Sequence, residues 1–296
     1  MKQAHRFLAS VIIPTYNRQE FLFQNLQSLR ASSISKDDFE IIVVDDGSSD
    51  NSFDVVRNFA GGCQIRYVYQ QDDGYRVGRA RNQGMELAEG AVCIFLDCGI
   101  VVSRDFVKAH IDAHSEANAV VIGYLYGFSN TGYNSDELAE ALEGNLDLND
   151  VDATIEKLRA SRRFPDMREK IYATHGEDLR SLPAPWAIGW GGNISVRRDM
   201  LGDRFRFDEN YKTWGAEDLD LSLTLFEAGA QFAFCRQASG IHLPHPRSHE
   251  VNARSSRPNK IYLNNKFRRP ETELLIDVQS WDLNDALIKG AQAQAE

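Results

Sequence analysis

The chain has 296 residues, 43% of them hydrophobic and 26% charged, with a formal net charge of −10. That length suffices for one large domain or two intimately joined halves around a substantial core. The acidic balance, which solubility alone would explain, excludes a basic nucleic-acid footprint and strong attraction to anionic lipid. A phosphate-bearing ligand must therefore be met by local cations, helix N-termini or a divalent metal.

The opening stretch "MKQAHRFLASVIIPTYNR" has a strand-length apolar run broken by Pro14, without the cleavage pattern of a signal peptide. Residues 9–14 read as a strand and 19–32 as an amphipathic helix. A second strand over 39–50 ends in the acid-rich turn "DDGSSD" and leads to a helix from about Asn51. A third strand follows at 63–70, a helix at 76–90 closed by Gly90, and a fourth strand at 91–97. Residues 118–128 read as a further strand, and 134–182 as short polar helices, either a lid or acceptor-binding insertion or a solvated connector. A helix opens near "GAEDLDLSLTLFEAG" and closes at Gly229; then come "QFAFC" and the loop "IHLPHPRSH". The final fifty residues are polar and read as a packed or mobile tail.

Near-continuous apolar strands with helical crossovers predict a largely parallel α/β sheet covered by helices on both faces. The expected organisation is a nucleotide-binding half over 1–115, an acceptor-binding and catalytic half over 116–245, and a tail over 246–296. No segment reaches the ~18 apolar residues of a membrane-spanning helix. Cys63, Cys93, Cys98 and Cys235 are scattered without metal-ligand spacing, so a reduced cytoplasmic setting is expected, with peripheral association at the inner membrane left open.

Ligands of such sheets bind beyond the carboxyl ends of the strands. That rule places Thr15, Tyr16, Asp45, Asp46 and Asp97 along one rim. Each has a plainer explanation too: Tyr16 as a half-buried core aromatic, Asp45 and Asp46 as a helix-capping turn. "YRVGRARNQG" brings Arg76, Arg79, Arg81 and Asn82 to a helix start, suited to a diphosphate, although arginines at helical spacing more often solubilise a surface. In "WGAED" (214–218) a carboxylate could take the proton of an attacking hydroxyl, yet acids at a helix N-terminus are favoured by the macrodipole alone.

The blocks "VIIPTYNR", "VVDDGSSD", "GRARNQG", "FLDCG" and "WGAEDLDLSLTL", in this order across residues 8–245, resemble an inverting glycosyltransferase of family 2 with the GT-A fold. The "WGGN…WGAED" portion is similar to bacterial chondroitin-polymerase-type modules and to the C-terminal block of β-1,4-galactosyltransferases. The resemblance implies a mixed, mostly parallel sheet, a Rossmann-like nucleotide half merged with an acceptor half, and transfer from a UDP-sugar to a glycan or natural-product hydroxyl. It implies Asp218 as general base, with Glu217 binding acceptor or ordering the loop. Pro14, Thr15, Tyr16, Arg18, Asp45, Asp46, Arg76, Asp97 and Cys98 become the nucleotide contacts, Tyr16 stacking on uracil and Asp46 accepting its imide hydrogen. Gly192, Asn193 and Trp214 would line the donor and acceptor sugars.

The resemblance also implies Mn²⁺ or Mg²⁺, held by the last acid of an Asp-x-Asp pair. Here Asp97 is kept and Gly99 stands at the last position, with Cys98, a poor ligand for hard cations, between them. The late histidine such enzymes often contribute would be His242, with His245 beside it. The alternatives are a nucleotide-sugar-binding module that has lost turnover and, less well supported, a nucleotidyltransferase, whose glycine-rich basic loop is absent. A dinucleotide-binding enzyme fits least, since "PTYNR" replaces the G-x-G-x-x-G turn.

Overall fold

A computed structural model describes residues 5–59, 62–114, 119–128, 135–202, 204–245 and 249–295. The first half alternates β1 (Phe7–Thr15), α1 (Gln19–Arg30), β2 (Phe39–Asp45), α2 (Ser52–Arg57), β3 (Gln64–Tyr69), α3 (Val77–Leu87) and β4 (Gly90–Leu96). Then follow β5 (Ile100–Val102), α4 (Phe106–Ala113), β6 (Ala119–Tyr126), α5 (Ser135–Leu142), α6 (Val151–Ser161) and α7 (Glu169–His175). The chain closes with β7 (Asn193–Arg197), α8 (Glu217–Glu227), β8 (Gln231–His242), α9 (His249–Phe267), α10 (Pro270–Leu275) and α11 (Leu283–Ala295).

All eight strands form one sheet in the order β3-β2-β1-β4-β7-β6-β8-β5. The β3, β2, β1 and β4 neighbours are parallel, β7 runs antiparallel to β4 and β6, and β6 is parallel to β8. The expected mixed, mostly parallel sheet is therefore present. Alternation along its strands feeds two cores. Val11, Ile13, Ile41 and Val43 face α1 through Leu22, Leu26 and Leu29, while Ile12, Ile42 and Val44 face the larger cluster around Trp186 and Phe207. With both faces covered, β1, β2 and β4 are buried along nearly their whole length, which is why they read as near-continuous apolar runs.

Two sequence expectations change, and of the two given for the C-terminal stretch the packed one holds. Gly90 opens β4 instead of closing α3, whose cap is Ala88. A Cβ on Gly90 would lie 2.3 Å from the Ala9 carbonyl carbon, so the close approach of β1 requires glycine there. His242 is the last residue of a twelve-residue strand, not part of a loop. The C-terminal stretch forms packed helices: Leu263, Leu275 and Leu283 are fully buried and belong to the larger core. The helices after β6 are likewise seated on that core through Leu138, Leu142, Val151, Ile155 and Leu158. Among the described residues no helix is long and apolar enough to cross a membrane.

Candidate active site

The parallel strands β1, β2 and β4 end at one rim, where polar residues follow each apolar run. At the end of β2, Asp45 is 1% exposed. Its Oδ1 accepts from the backbone N–H groups of Gly47 (3.1 Å) and Ser48 (2.7 Å), and its Oδ2 accepts from the Tyr67 hydroxyl. Asp45, which the sequence reading placed among the nucleotide contacts, thus builds the turn after β2, with two N–H groups and a phenol already bound to its carboxylate.

Asp46 stands beside it with Oδ2 accepting from the Arg76 N–H at 2.9 Å and Oδ1 accepting from Gln70. Burial raises its carboxyl above the usual range, against the pull of those hydrogen bonds. The Arg76 guanidinium turns to Asp73, and the Tyr16 hydroxyl donates to Asp72 at 3.1 Å, leaving the Tyr16 ring 46% exposed. Tyr16, Asp46 and Arg76 therefore meet at one lip, built with Gln70 and Asp72, which the sequence reading did not single out.

Other predicted contacts face inward. Pro14 and Thr15 are buried, and Thr15 Oγ1 donates to Cys98 Sγ at 3.5 Å across the β1–β4 seam. Burial pushes the Cys98 thiol up to about 12. The side chains of Pro14, Thr15 and Cys98, expected among the nucleotide contacts, pack into this seam. Arg18 donates to the Cys98 carbonyl at 3.3 Å, which sets its guanidinium at the rim.

At the end of β4 the geometry is denser. Arg81, from α3, is 3% exposed; Nη2 donates to Asp97 Oδ1 at 2.8 Å and Nη1 to Glu217 Oε1 at 3.0 Å. One buried guanidinium therefore joins the end of β4 to the loop that opens α8. Gly191 lies against it, where a Cβ would come 2.8 Å from the guanidinium carbon. The next loop bond is direct: Asp218 Oδ2 accepts from the Gly191 N–H at 3.1 Å, and its Oδ1 from Leu219 at 2.8 Å. Desolvation first, and then the Glu217 charge, push the Asp218 carboxyl up to about 7, opposed by Arg81 and the two N–H groups. Glu217 is tied down by Arg81, and its Oε2 is buried with no partner among the described residues. Of the two roles expected of it, acceptor binding and ordering of the loop, this contact bears on the second. Tyr75, whose phenol is held well above its ordinary range by burial, is in electrostatic reach of Glu217, Arg81, Asp97 and Asp218.

Sequence reasoning passed over Tyr75, and it placed Arg81 among the cations at a helix start without the bridge from Asp97 to Glu217. A signal for Arg81 existed: Gly78, Arg81 and Met85, at helical spacing, share the buried face of α3.

Gly192 sits on the rim, where a Cβ would be 3.2 Å from Asp97 Oδ2, and Trp214 is 43% exposed. Asn193, expected beside the sugars, is 1% exposed and hydrogen-bonds inward. Its amide donates to the Ala238 carbonyl at 3.0 Å and its Oδ1 meets His110 Nε2 at 2.9 Å. Ser195 Oγ bridges His110 and His114, each at 2.8 Å. Burial lowers these imidazoles to about 3 and about 4, so the network is neutral scaffolding beneath the loop.

The expected metal ligands were tested on their own donors. Gly99 has no side chain and φ +103°, a backbone suited to glycine, and Asp97 already gives one oxygen to Arg81. His242 is 9% exposed with its ring 5.1 Å from that of His245, and Leu243 N–H donates to the Gly99 carbonyl at 2.9 Å, so both histidines lie near the rim. Among the described residues no three His, Cys, Asp or Glu side chains are grouped as a metal site. The protein donors do not by themselves complete a coordination shell.

Comparison with known proteins matches residues 10–205 to the family described as glycosyl transferase family 2. A validoxylamine A glucosyltransferase of Streptomyces hygroscopicus subsp. limoneus is 34% identical over 254 residues, covering 85% of this chain and 55% of that protein. The chain thus spans little more than half of that relative's length. Chondroitin synthase of Escherichia coli is 27% identical over 84% of this chain and 37% of its own length. Among solved structures, S. aureus TarS 1–349 in complex with UDP-GlcNAc aligns over 87% of this chain and 66% of that one, with a TM-score of 0.56 at 18% identity, which shows the GT-A fold.

Proposed function

The chain belongs to glycosyl transferase family 2 and has the GT-A fold; from that premise we propose that it transfers a sugar, with inversion, from a UDP-sugar to an acceptor hydroxyl. The observation that carries the reading is the placement of Asp218: its carboxylate is held by the Gly191 N–H and linked through Glu217 and Arg81 to the strand-end Asp97, and burial raises its pKa from the usual carboxylate range. A base poised near neutral pH combines a useful ionised fraction with the drive to accept a proton.

In the transfer, the acceptor hydroxyl gives its proton to Asp218 as its oxygen forms the new bond to the anomeric carbon. The bond from that carbon to the UDP oxygen breaks, and UDP leaves with the electron pair. Attack from the face opposite the leaving group inverts the centre. Base assistance of this kind is worth 10²–10⁴ in rate, or about 3–5 kcal/mol. The lip of Tyr16, Asp46 and Arg76 receives the nucleoside, Arg18 faces the diphosphate, and Trp214 and Gly192 flank the sugars. Mn²⁺ or Mg²⁺, bound by Asp97 with His242 or His245 and otherwise by donor phosphates and water, would supply charge neutralisation at the leaving group. The name of the Streptomyces relative supports a small-molecule acceptor and that of chondroitin synthase a glycan one. Use of a nucleotide sugar supports a cytoplasmic site of action, compatible with peripheral attachment to the inner membrane.

The test is incubation with a panel of UDP-sugars and candidate acceptors, with Mn²⁺ or EDTA, comparing the parent with Asp218→Asn. Transfer by the parent, at least ~100-fold slower in the variant with donor binding kept, is expected for loss of a general base. Donor binding without transfer or hydrolysis under any condition would establish the inert binding module, and parental turnover in the variant would remove Asp218 as base.

A further inference from the structure

The approach to the proposed base, Thr213 to Ala216, belongs to neither helix nor strand, and its backbone includes Ala216 at φ +73°. A non-glycine residue in left-handed backbone persists only where the surroundings hold it. Helix α9 supplies that hold. Asn259 Nδ2 donates to the carbonyls of Thr213 (3.1 Å), Trp214 (3.2 Å) and Gly215 (2.8 Å), sharing its two hydrogens among three acceptors. Its Oδ1 accepts from Thr213 Oγ1 at 3.3 Å, and Ser255 Oγ adds a bond to the Trp214 carbonyl at 3.0 Å. Two turns further along, Lys266 Nζ reaches both oxygens of Asp220 and one of Asp208, each at 2.8 Å. Asp220 is 1% exposed and lies in the first turn of α8, directly after Asp218 and Leu219.

We propose that Asn259 is a positioning residue for sugar transfer. Helix α9, beyond the 10–205 segment matched to the family, clamps the Trp214–Asp218 loop in its reactive conformation, with Lys266 fixing the helix to α8. The proposal rests on the reading of Asp218 as the base. Water can replace the lost donors at these partly exposed carbonyls, so the loop's energy changes less than its definition. A displacement of order 1 Å at a reacting group costs about 10²-fold in rate.

The test uses the full chain with Asn259→Ala and Asn259→Asp, the second keeping the shape and the oxygen acceptor without the NH₂. In both variants kcat is expected to fall at least ~10-fold with donor KM within about twofold, the pattern of a misplaced transition-state group. Trypsin cleavage after exposed Lys212, at the head of the loop, should accelerate by at least ~10-fold as local opening becomes easier. The thermal midpoint and cleavage at other sites should stay near the parent's. Parental kcat in both variants, unchanged cleavage after Lys212, or equal acceleration at every site would overturn the clamp. The cleavage measurement needs no turnover, so failure of the transferase reading and failure of the clamp give separate results.

Discussion

Replacing Arg81 with Met keeps most of the aliphatic stem and deletes the guanidinium that joins the two halves of the site. The two ends of that bridge are unequal. The Glu217 side chain is 6% exposed and loses its one charged partner, while the Asp97 side chain is 42% exposed and can be rehydrated. Removing one member of a buried pair costs about 3–5 kcal/mol because the other charge is left uncompensated. The exposed end adds at most ~1 kcal/mol. Arg81→Met should therefore lose roughly 3–5 kcal/mol, a large share of the ~5–15 kcal/mol that stabilises a typical domain. Adding Glu217→Gln removes the stranded charge, so the double variant should be more stable than Arg81→Met alone by at least ~1 kcal/mol. Urea unfolding at pH 7 with a constant slope reads both values. A loss below about 1 kcal/mol in the single variant, or a double variant less stable than the single, would refute the claim that Arg81 is there to neutralise Glu217.

With Asp218 as the proposed base, kcat/KM should climb as pH rises through the raised pKa of its carboxyl, because only the ionised form accepts a proton. Arg81→Met should move this limb upward, since the guanidinium favours the Asp218 anion; a limb that stays put in the variant argues against their coupling. The same carboxyl is linked to stability with the opposite trend. Its folded pKa lies above the unfolded value of about 3.9, so its contribution is complete below that value and is lost as pH rises through about 7. Urea titrations of the parent and Asp218→Asn across this range should differ in slope, and parallel curves would contradict the shift. His242→Ala should weaken the dependence of transfer on added Mn²⁺; an unchanged metal titration removes His242 from the cation's surroundings.

Much of the first, parallel part of the sheet was legible because its signals are local. Val11 to Ile13 and Ile41 to Val44 must be buried on both sides to explain their continuous apolarity, which requires a covered sheet. Polar residues just beyond such strands then mark the ligand edge, and Tyr16, Asp46 and Asp97 all stand there. The same reasoning could not divide labour within a pair. Asp45 and Asp46 are adjacent and chemically identical, yet one closes its own turn and the other meets Gln70 and Arg76. Which oxygen points where depends on the β2–β3 pairing, and that information is not local.

The sequence by itself determined the sheet, the rim and the order of the chemical blocks, because periodicity and strand-end chemistry are written in neighbouring residues. Tertiary structure alone decided that Arg81 is a buried bridge, that Asn193 faces the core, and that the polar C-terminal stretch is a helix fastened to the Trp214–Asp218 loop. These roles join residues as far apart as 136 positions in the chain, the separation of Arg81 and Glu217. A charge or amide has the same local signature on a solvated face as in a buried pair, and only the partner brought to it by the fold distinguishes the two.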